Sequence, residues 1–414
     1  MNTEQLHIAN QQAAACITGA EPYWVGVAPA NEVLENFEPY TILHSGPPID
    51  YADMCYLHQR GMVNGVLMEG WADNEEDAER LILDRKVKID SAMNYNTVGS
   101  GTGIITGSVP LLVVEDRNSG KRAGVFPHEG KFGGGFCGWG VYSPEIKANL
   151  TWMREELFVP ISRKLQETGG FALKPILAKS LQMGDENHSS QTASDAIFIR
   201  EILPLALECE NAKELLTYFA KTPRFFHNFG QAASRCSLLA AEEIKGSAMV
   251  TAAGGNGVEY GIKVVGLGDI WFTAPSPMIA GTYMTPGSRI EDQLPWIGDS
   301  SIVECAGLGG ILSAASPMVC SWRQERLPDG IAVTRQMEQI CITKNESYTI
   351  PNLDFDHPPV GIDIHKIGQS GILPVINGGM INRVGGWMGA GCARIPMKCF
   401  AKACEAWNEV YGVG

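Results

Sequence analysis

The sequence predicts an α+β fold: two mixed α/β-type domains with an inserted helical bundle. Three observations carry this reading. Residues 1–145 alternate helix-like and strand-like pieces. Residues 146–245 keep a helical period for most of their length. Residues 246–414 turn to β and open with the clearest hairpin signal in the chain. These ranges define an N-terminal α/β domain, a helical domain and a C-terminal α+β domain.

In order, 4–16 and 31–36 read as helices, and the apolar run Gly65-Val66-Leu67-Met68 as a short buried strand. A helix over 74–83 follows, capped by Asp73 or Asn74 with acids in its first turn. Residues 111–114 and 122–126 read as strands joined through Asn118-Ser119-Gly120. The middle segment predicts helices over 150–168, 193–207, 212–220 and 225–244, with Pro204 kinking or ending the second. Strands are expected over 248–252 and 259–265, around a Gly254-Gly255-Asn256-Gly257 turn. A third strand is expected over 270–273, then a Gly-rich helix over 299–315 and another over 331–342. Residues 372–376 read as an edge strand, because Pro374 cannot donate to a ladder. A helix over 396–410 ends the pattern.

Composition excludes several function classes. The 414 residues are 45% hydrophobic and 19% charged, so the chain is no disordered segment. Acidic residues number 46 against 32 basic ones, a net charge of −14. That balance argues against nucleic acid and anionic membrane surfaces as partners, while small anions remain open through local Arg or N–H groups. Eleven dispersed cysteines without a Cys-x-x-Cys pair point to a reducing cytoplasm. The first fifteen residues carry no basic cluster and are not expected to be a signal peptide. The long uncharged stretches 91–114 and 305–322 are broken by polar residues, Gly and Pro, so no membrane span is expected.

Gly-rich and polar runs carry the candidate chemistry. The glycines of Gly99–Gly107 suit a turn or an anion nest. His128-Glu129-Gly130-Lys131 leads into Gly133-Gly134-Gly135, either a flexible surface loop or a backbone shaped for close approach. In the second case Glu129 is a general base or orients a substrate amide. In Gly184-Asp185-Glu186-Asn187-His188, Asp185 is a natural N-cap. On a helix, residues 185 and 188 share a face and 186 does not, which argues against a common metal ion. A polar catalytic corner and simple capping both remain open there. Asp299 and Ser300 open the Gly-rich helix, where either Asp299 only caps its own helix or the free N–H groups hold phosphate or carboxylate. Asn377-Gly378-Gly379 and Gly389-Ala390-Gly391, followed by Arg394, read as Gly-rich turns of the kind that line ligand sites. Trp271, Phe272 and Trp387 are expected in the core. No phosphate loop, zinc-protease motif or nucleophile elbow is present.

The strings Leu43-His44-Ser45-Gly46-Pro47-Pro48, Glu69-Gly70-Trp71-Ala72 and Met183–His188, with Asn256-Gly257, run in order along the chain. Gly266-Leu267-Gly268, Trp271–Pro275, Gly298-Asp299-Ser300 and Gly389-Ala390-Gly391 continue the series. Together they resemble the YlbE/AllG-like family over nearly the whole chain. The resemblance implies two unusual α+β domains with a small helical domain. It also implies a place beside FdrA-like proteins, which resemble succinyl-CoA synthetase, and a third subunit remains open. The implied activity is that of an oxamate carbamoyltransferase subunit of allantoin and purine breakdown. That enzyme interconverts oxalurate plus phosphate with oxamate plus carbamoyl phosphate.

Under this resemblance Arg154, Arg200 and Arg394 match Arg in the family pattern and are expected to bind the anions, Arg394 foremost. Asp185, Glu186 or His188 would move the amide proton, with Glu129 as a further acid–base candidate. Asn256 and Asn377 would bind the carbamoyl group. His44, Asp299, Ser300 and Gly378 complete the expected substrate-binding set. No metal and no cofactor are expected, and a homo-oligomer is open. One departure stands out: where the family carries Lys and Arg after Glu129-Gly130, this chain has Gly133-Gly134-Gly135. That loss of positive charge leaves open a different acceptor amide, or a non-catalytic subunit supporting an FdrA-like partner. A metal hydrolase using Asp185 and His188 is a third reading.

Overall fold

The computed structural model describes residues 1–412. Its mixed helices and sheets agree with the α+β class read from the sequence. The first sheet has the order β4-β6-β5-β1-β7. Its strands are β1 (Pro22–Pro29), β4 (Thr97–Val98), β5 (Pro110–Asp116), β6 (Arg122–Val125) and β7 (Phe171–Ala172). β5 and β6 form the expected hairpin, pairing Leu112 with Val125 and Glu115 with Arg122. A parallel pair, β2 (Thr41–His44) and β3 (Lys88–Ser91), sits beside it. The chain between them forms the helices Tyr56–Glu69 and Glu75–Leu83, the second capped by the Asn74 side chain.

The run Gly65–Met68 lies inside helix Tyr56–Glu69 and is not a strand. A four-residue apolar run looks alike in both settings. Here Gly61 and Gly65 let the helix close onto Ile104 and Ile42, where a Cβ would meet their side chains at 2.6 and 2.7 Å. The helix expected over 31–36 shortens to Ala30–Val33.

In the middle segment, the helix expected over 150–168 is three pieces, with a π-turn at Met153–Leu157 between Pro144–Trp152 and Val159–Thr168. Lys174–Gln182 adds a helix the pattern missed. Thr192–Leu207 runs through Pro204 and ends three residues later. Phe225–Ala241 is the central helix. It packs on β1, β5, β6, β8 and the first helix, Thr3–Thr18, and fifteen of its residues are buried. Phe198 meets it inside an aromatic cluster with Trp24, Phe171, Phe219, Phe225 and Phe229, at centroid distances of 5.1–6.3 Å.

The C-terminal part carries two further sheets and a short ribbon. One has the order β10-β9-β8-β12, from β8 (Val250–Asn256), β9 (Glu259–Val264), β10 (Phe272–Pro275) and β12 (Ile297–Gly298). The other has the order β11-β16-β15, from β11 (Ala280–Tyr283), β15 (Val375–Ile381) and β16 (Trp387–Arg394), which leaves β15 at an edge. β13 (Cys341–Lys344) and β14 (Pro359–Ile362) form the ribbon. Helix Leu327–Ile340 precedes β13, and Met397–Tyr411 closes the fold. The first helix joins this part: Asn10 donates to Asp363 at 2.8 Å and accepts from Ser247 and the Ala248 N–H.

Several glycine-rich runs are strands, not turns. Gly254, Gly255 and Asn256 belong to β8, and the bend falls at Gly257-Val258. Asn377-Gly378-Gly379 lies in β15 and pairs with Cys392-Gly391-Ala390 of β16. Close packing explains each. A Cβ on Gly254 would lie 2.3 Å from the Asp299 carboxylate, on Gly378 2.8 Å from the Trp296 ring, and on Gly391 2.1 Å from the Ala280 carbonyl. The helix expected over 299–315 is also broken. It becomes Ile302–Cys305 and a kinked 3₁₀ segment, Gly309–Ala315, separated at Gly307 with φ +85°. Of the aromatic residues expected in the core, Phe272 is buried, Trp271 half-buried and Trp387 exposed.

All eleven cysteines are free and seven are buried. Among the described residues no helix is long and apolar enough to cross a membrane.

Gly46 marks a close backbone approach between the N-terminal and C-terminal parts of the chain. Its φ is +78°, and a Cβ there would lie 2.4 Å from the Gly255 carbonyl carbon. Gly46→Ala is therefore expected to cost about 2–5 kcal/mol from left-handed strain plus overpacking. The check is a lower urea midpoint at unchanged m-value.

Candidate active site

The site begins with a loop, not a helix. Residues 184–191 precede the helix that starts at Thr192, so the helical-face argument for Asp185 and His188 does not apply. Asp185 accepts from Ser190 Oγ at 2.7 Å and from the Ser194 N–H at 2.8 Å, so it reaches across to cap the first turn of that helix. Glu186 is fully buried and accepts the N–H groups of His188, Ser189 and Ser190. Burial pushes its carboxyl up, against the nearby imidazole and these donors. Both carboxylates brace the loop and present His188.

His188 faces a partner from the far end of the chain. Its Nδ1 lies 2.7 and 3.0 Å from the two carboxylate oxygens of Glu304, which is itself fully buried. Oε1 of Glu304 also accepts the Gly310 N–H at 2.8 Å and the Asn377 N–H at 3.0 Å. A carboxylate accepts only, so Nδ1 carries a proton toward Glu304, which leaves Nε2 as the ring's other nitrogen. Nε2 bonds to no described residue. The ring stacks on His227 at 5.7 Å and meets Trp296 edge-on at 6.2 Å. His227 bonds to Gln191 and Gln231, and Gln231 accepts from Ser100 Oγ at 2.7 Å.

From Ser100 the network reaches the N-terminal loops. The Asp299 carboxylate accepts the Gly46 N–H at 2.7 Å and the Gly99 N–H at 3.0 Å, tying two loops to the end of β12. It caps no long helix, contrary to the sequence expectation. Ser300 beside it is half-buried. His44 is buried next to His58, with centroids 5.1 Å apart. Burial lowers the pKa of both rings, that of His58 to about 3, so both are neutral near pH 7. Asn256 spends its side chain on Pro47, Val258 and Glu259, closing the hairpin. Asn377 keeps its NH₂ group buried without an acceptor, while Arg323 Nη1 lies 3.5 Å from its oxygen.

Glu129 is buried and accepts the Phe136 and Cys137 N–H groups at 3.1 and 2.8 Å. It folds the Gly133–Gly135 segment over itself: a Cβ on Gly135 would lie 2.1 Å from its carboxylate. The carbonyls of Cys137 and Gly138 then accept the Ile104 and Thr102 N–H groups, docking this loop on the Gly99–Gly103 loop. The segment is built into the site's floor and is not a free surface loop.

All three expected anion-binding arginines stand apart from this network. Arg154 donates to the Ser108 carbonyl and to Glu155. Arg200 is 79% exposed and faces Glu201 at 4.0 Å. Arg394 is exposed at the end of β16 and donates to the Leu373 carbonyl. Residue-by-residue reading missed Glu304, His227, Gln231, Trp296, Arg323 and Arg224. Arg224 Nη2 lies 3.5 Å from the His188 carbonyl oxygen. The available signal was helical spacing: His227 and Gln231 recur at a four-residue step on one helix face, with Arg224 just before that helix begins.

Fold and site define a class: a mixed α/β protein whose polar residues, drawn from the whole chain, meet around one buried carboxylate–histidine pair. Comparison with known proteins names the family. A family model described as "Oxamate carbamoyltransferase subunit AllG" matches residues 87–300. The chain is 33% identical to the protein of that name from Escherichia coli (strain K12), over 98% of each chain. It is 31% identical to "Uncharacterized protein YahG" of the same organism, over 99% of this chain and 88% of the relative. A crystal structure of a conserved protein of unknown function from Enterococcus faecalis V583 superposes with a TM-score of 0.91, at 28% identity and 98% coverage of both chains. The chain belongs to the AllG family.

Burial pushes the Glu129 carboxyl up to about 8 and that of Asp299 up to about 7, against the N–H donors that pull each down. An unfolded carboxyl titrates near ~4. Each group therefore contributes stability that is fully present below about pH 4 and is lost as pH rises through its folded value. Glu129→Gln removes one such contribution. The wild-type minus variant unfolding free energy, from urea melts, is expected to fall between about pH 5 and about pH 8.5.

Proposed function

We propose that the chain is the carbamoyl-transfer subunit of an oxamate carbamoyltransferase-type enzyme. It would interconvert oxalurate plus phosphate with oxamate plus carbamoyl phosphate, in the nitrogen salvage of purine and allantoin breakdown. Its partner would be an FdrA-like protein. The observation that carries this reading is the Glu304–His188 pair, joined to membership of the AllG family. Eleven free thiols fit a reducing cytoplasm.

The chemistry needs one group that moves a proton between two partners. A phosphate oxygen attacks the carbamoyl carbon of oxalurate, and the carbon–nitrogen bond to the oxamate nitrogen breaks. His188 Nε2 takes the proton from the attacking monohydrogen phosphate and delivers it to the departing nitrogen. Glu304 holds the ring's orientation and stabilises the imidazolium between these steps. The unpartnered Asn377 amide is a donor for the oxyanion that forms on the carbamoyl oxygen. Asp185, Glu186 and Glu129 hold the loops that carry these groups.

With the partner present, His188→Gln is expected to lower kcat for carbamoyl phosphate formation by about 10²–10⁴-fold. Glu304→Gln should lower kcat through the same ring while KM stays within a few-fold. Unchanged kcat in both variants removes the proposed proton transfer. A thermal-shift titration of the chain with oxalurate, oxamate, carbamoyl phosphate and phosphate tests the binding half, because a ligand of the native state raises Tm. No shift alone or with the partner, together with full activity of His188→Gln in the complex, would favour a non-catalytic supporting subunit.

A further inference from the structure

An enzyme of this class must hold an anionic substrate beside its proton-transfer group. We propose that Arg224 is the residue that does so, binding a small oxyanion, carboxylate or phosphate, next to His188. This deepens the functional reading above and rests on it.

Arg224 differs from the other arginines near the site. Arg235 is buried against Glu242, Asn96 and two carbonyls, and Arg323 against Ser313 and Glu325. Arg154 and Arg394 are spent on carbonyls away from the network. Arg224 is an exposed residue whose guanidinium reaches inward, where burial lowers its pKa, and it makes a single side-chain hydrogen bond, at 3.5 Å to the His188 carbonyl oxygen. Its guanidinium pairs with no carboxylate among the described residues, so its fork of donors is free for a ligand.

The backbone is held so as to place it there. Arg224 has φ +66°, a left-handed conformation that costs a residue with a Cβ roughly 1–2 kcal/mol. Asp195 keeps it in place by accepting the Arg224 N–H at 2.6 Å and the Phe226 N–H at 2.9 Å. Two unpaired polar atoms accompany it. His128 Nδ1 and Gln191 Oε1 are both buried without a partner, and Gln191 itself bonds to His188 and His227. Burial, with Arg224 second, lowers His128 to about 4 and His227 well below its usual value. Both rings are therefore neutral at pH 7, and Arg224 is the cation of this corner. A groove of about 1070 Å³, lined by both acids and lysines, among them Glu129, Lys131, Glu145, Glu214 and Lys221, opens beside the chain segments that carry His128 and Arg224.

The test is calorimetric titration of the full chain, alone and with its partner protein, using oxamate, inorganic phosphate and carbamoyl phosphate as separate arms. Arg224→Ala is expected to weaken binding of oxamate or phosphate about tenfold or more, and the affected arm tells which oxyanion sits there. In the complex it should raise KM for the same substrate by a similar factor, with kcat changed far less. Arg224→Lys keeps the charge and loses the fork, so a carboxylate ligand should suffer more from it than phosphate. If the alanine variant does not fold, Arg224→Gln replaces it, since it keeps the side chain's length. Wild-type affinity and KM in Arg224→Ala, or loss of binding in Arg394→Ala alone, would overturn the assignment. So would a wild-type protein that binds none of the three anions in either form. Carbamoyl transfer with an unchanged KM in Arg224→Ala sinks this assignment and leaves the functional reading standing. Arg224-dependent oxamate binding without carbamoyl transfer sinks the functional reading and leaves the anion site standing.

Discussion

The Glu304 carboxylate is the point on which the rest of the site depends. A buried carboxylate is costly unless donors surround it. Here the donors come from three places: the imidazole of His188, the Gly310 N–H and the Asn377 N–H. Gly309 is a glycine because a Cβ would lie 2.2 Å from that carboxylate. Satisfying one charge thus fixes a loop from the helical segment, a 3₁₀ turn and an edge strand against one another. The geometry that makes the charge tolerable is the geometry that aims the histidine.

Asp299 does the same one layer away. It joins the Gly46 and Gly99 N–H groups to the end of β12, where Gly254 of β8 leaves room for its carboxylate. The glycine content reads differently in this light. Much of it is spent on bringing backbone from distant parts of the chain within van der Waals reach of a buried acid. Glu129 with Gly135 repeats the pattern a third time. Three buried acids, each with two or more N–H donors and an adjacent glycine, hold three loops in register around His188. For Glu129 and Asp299 the cost is a carboxyl whose protonation shifts on folding, which couples these two contacts to pH.

Local signals were legible where local physics decides. The Asn74 cap, the hairpin of β5 and β6 and the helix ending at Tyr411 follow from capping, alternation and period. Local reading failed where glycine or a short apolar run has two structural meanings. Gly254–Asn256 and Asn377–Gly379 read as turns and are strands, because the missing Cβ serves an approach from another element. Asp299–Ala315 read as a helix and is broken, because Gly307 at φ +85° and the packing around Glu304 override its period. In the site, Asp185, Glu186 and His188 were visible as a polar string, and the structure divides them into two braces and one presented ring.

By itself, the sequence determined the fold class, the acidic balance that argues against nucleic-acid partners, and the ordered strings that belong to the AllG family. It also offered Asp185, Glu186 and His188 together as one polar string, with simple capping left open. Only the tertiary structure decided what His188 works with. Glu304 lies 116 residues further along, and no local period or spacing links the two. Nor could charge alone separate Arg224 from Arg394: both are cations near glycine or helix boundaries in the sequence. Folding brings one to the His188 backbone carbonyl and leaves the other against the Leu373 carbonyl at the surface. A hydrogen bond between distant residues is written in the shape of the whole chain, and local propensity carries no record of it.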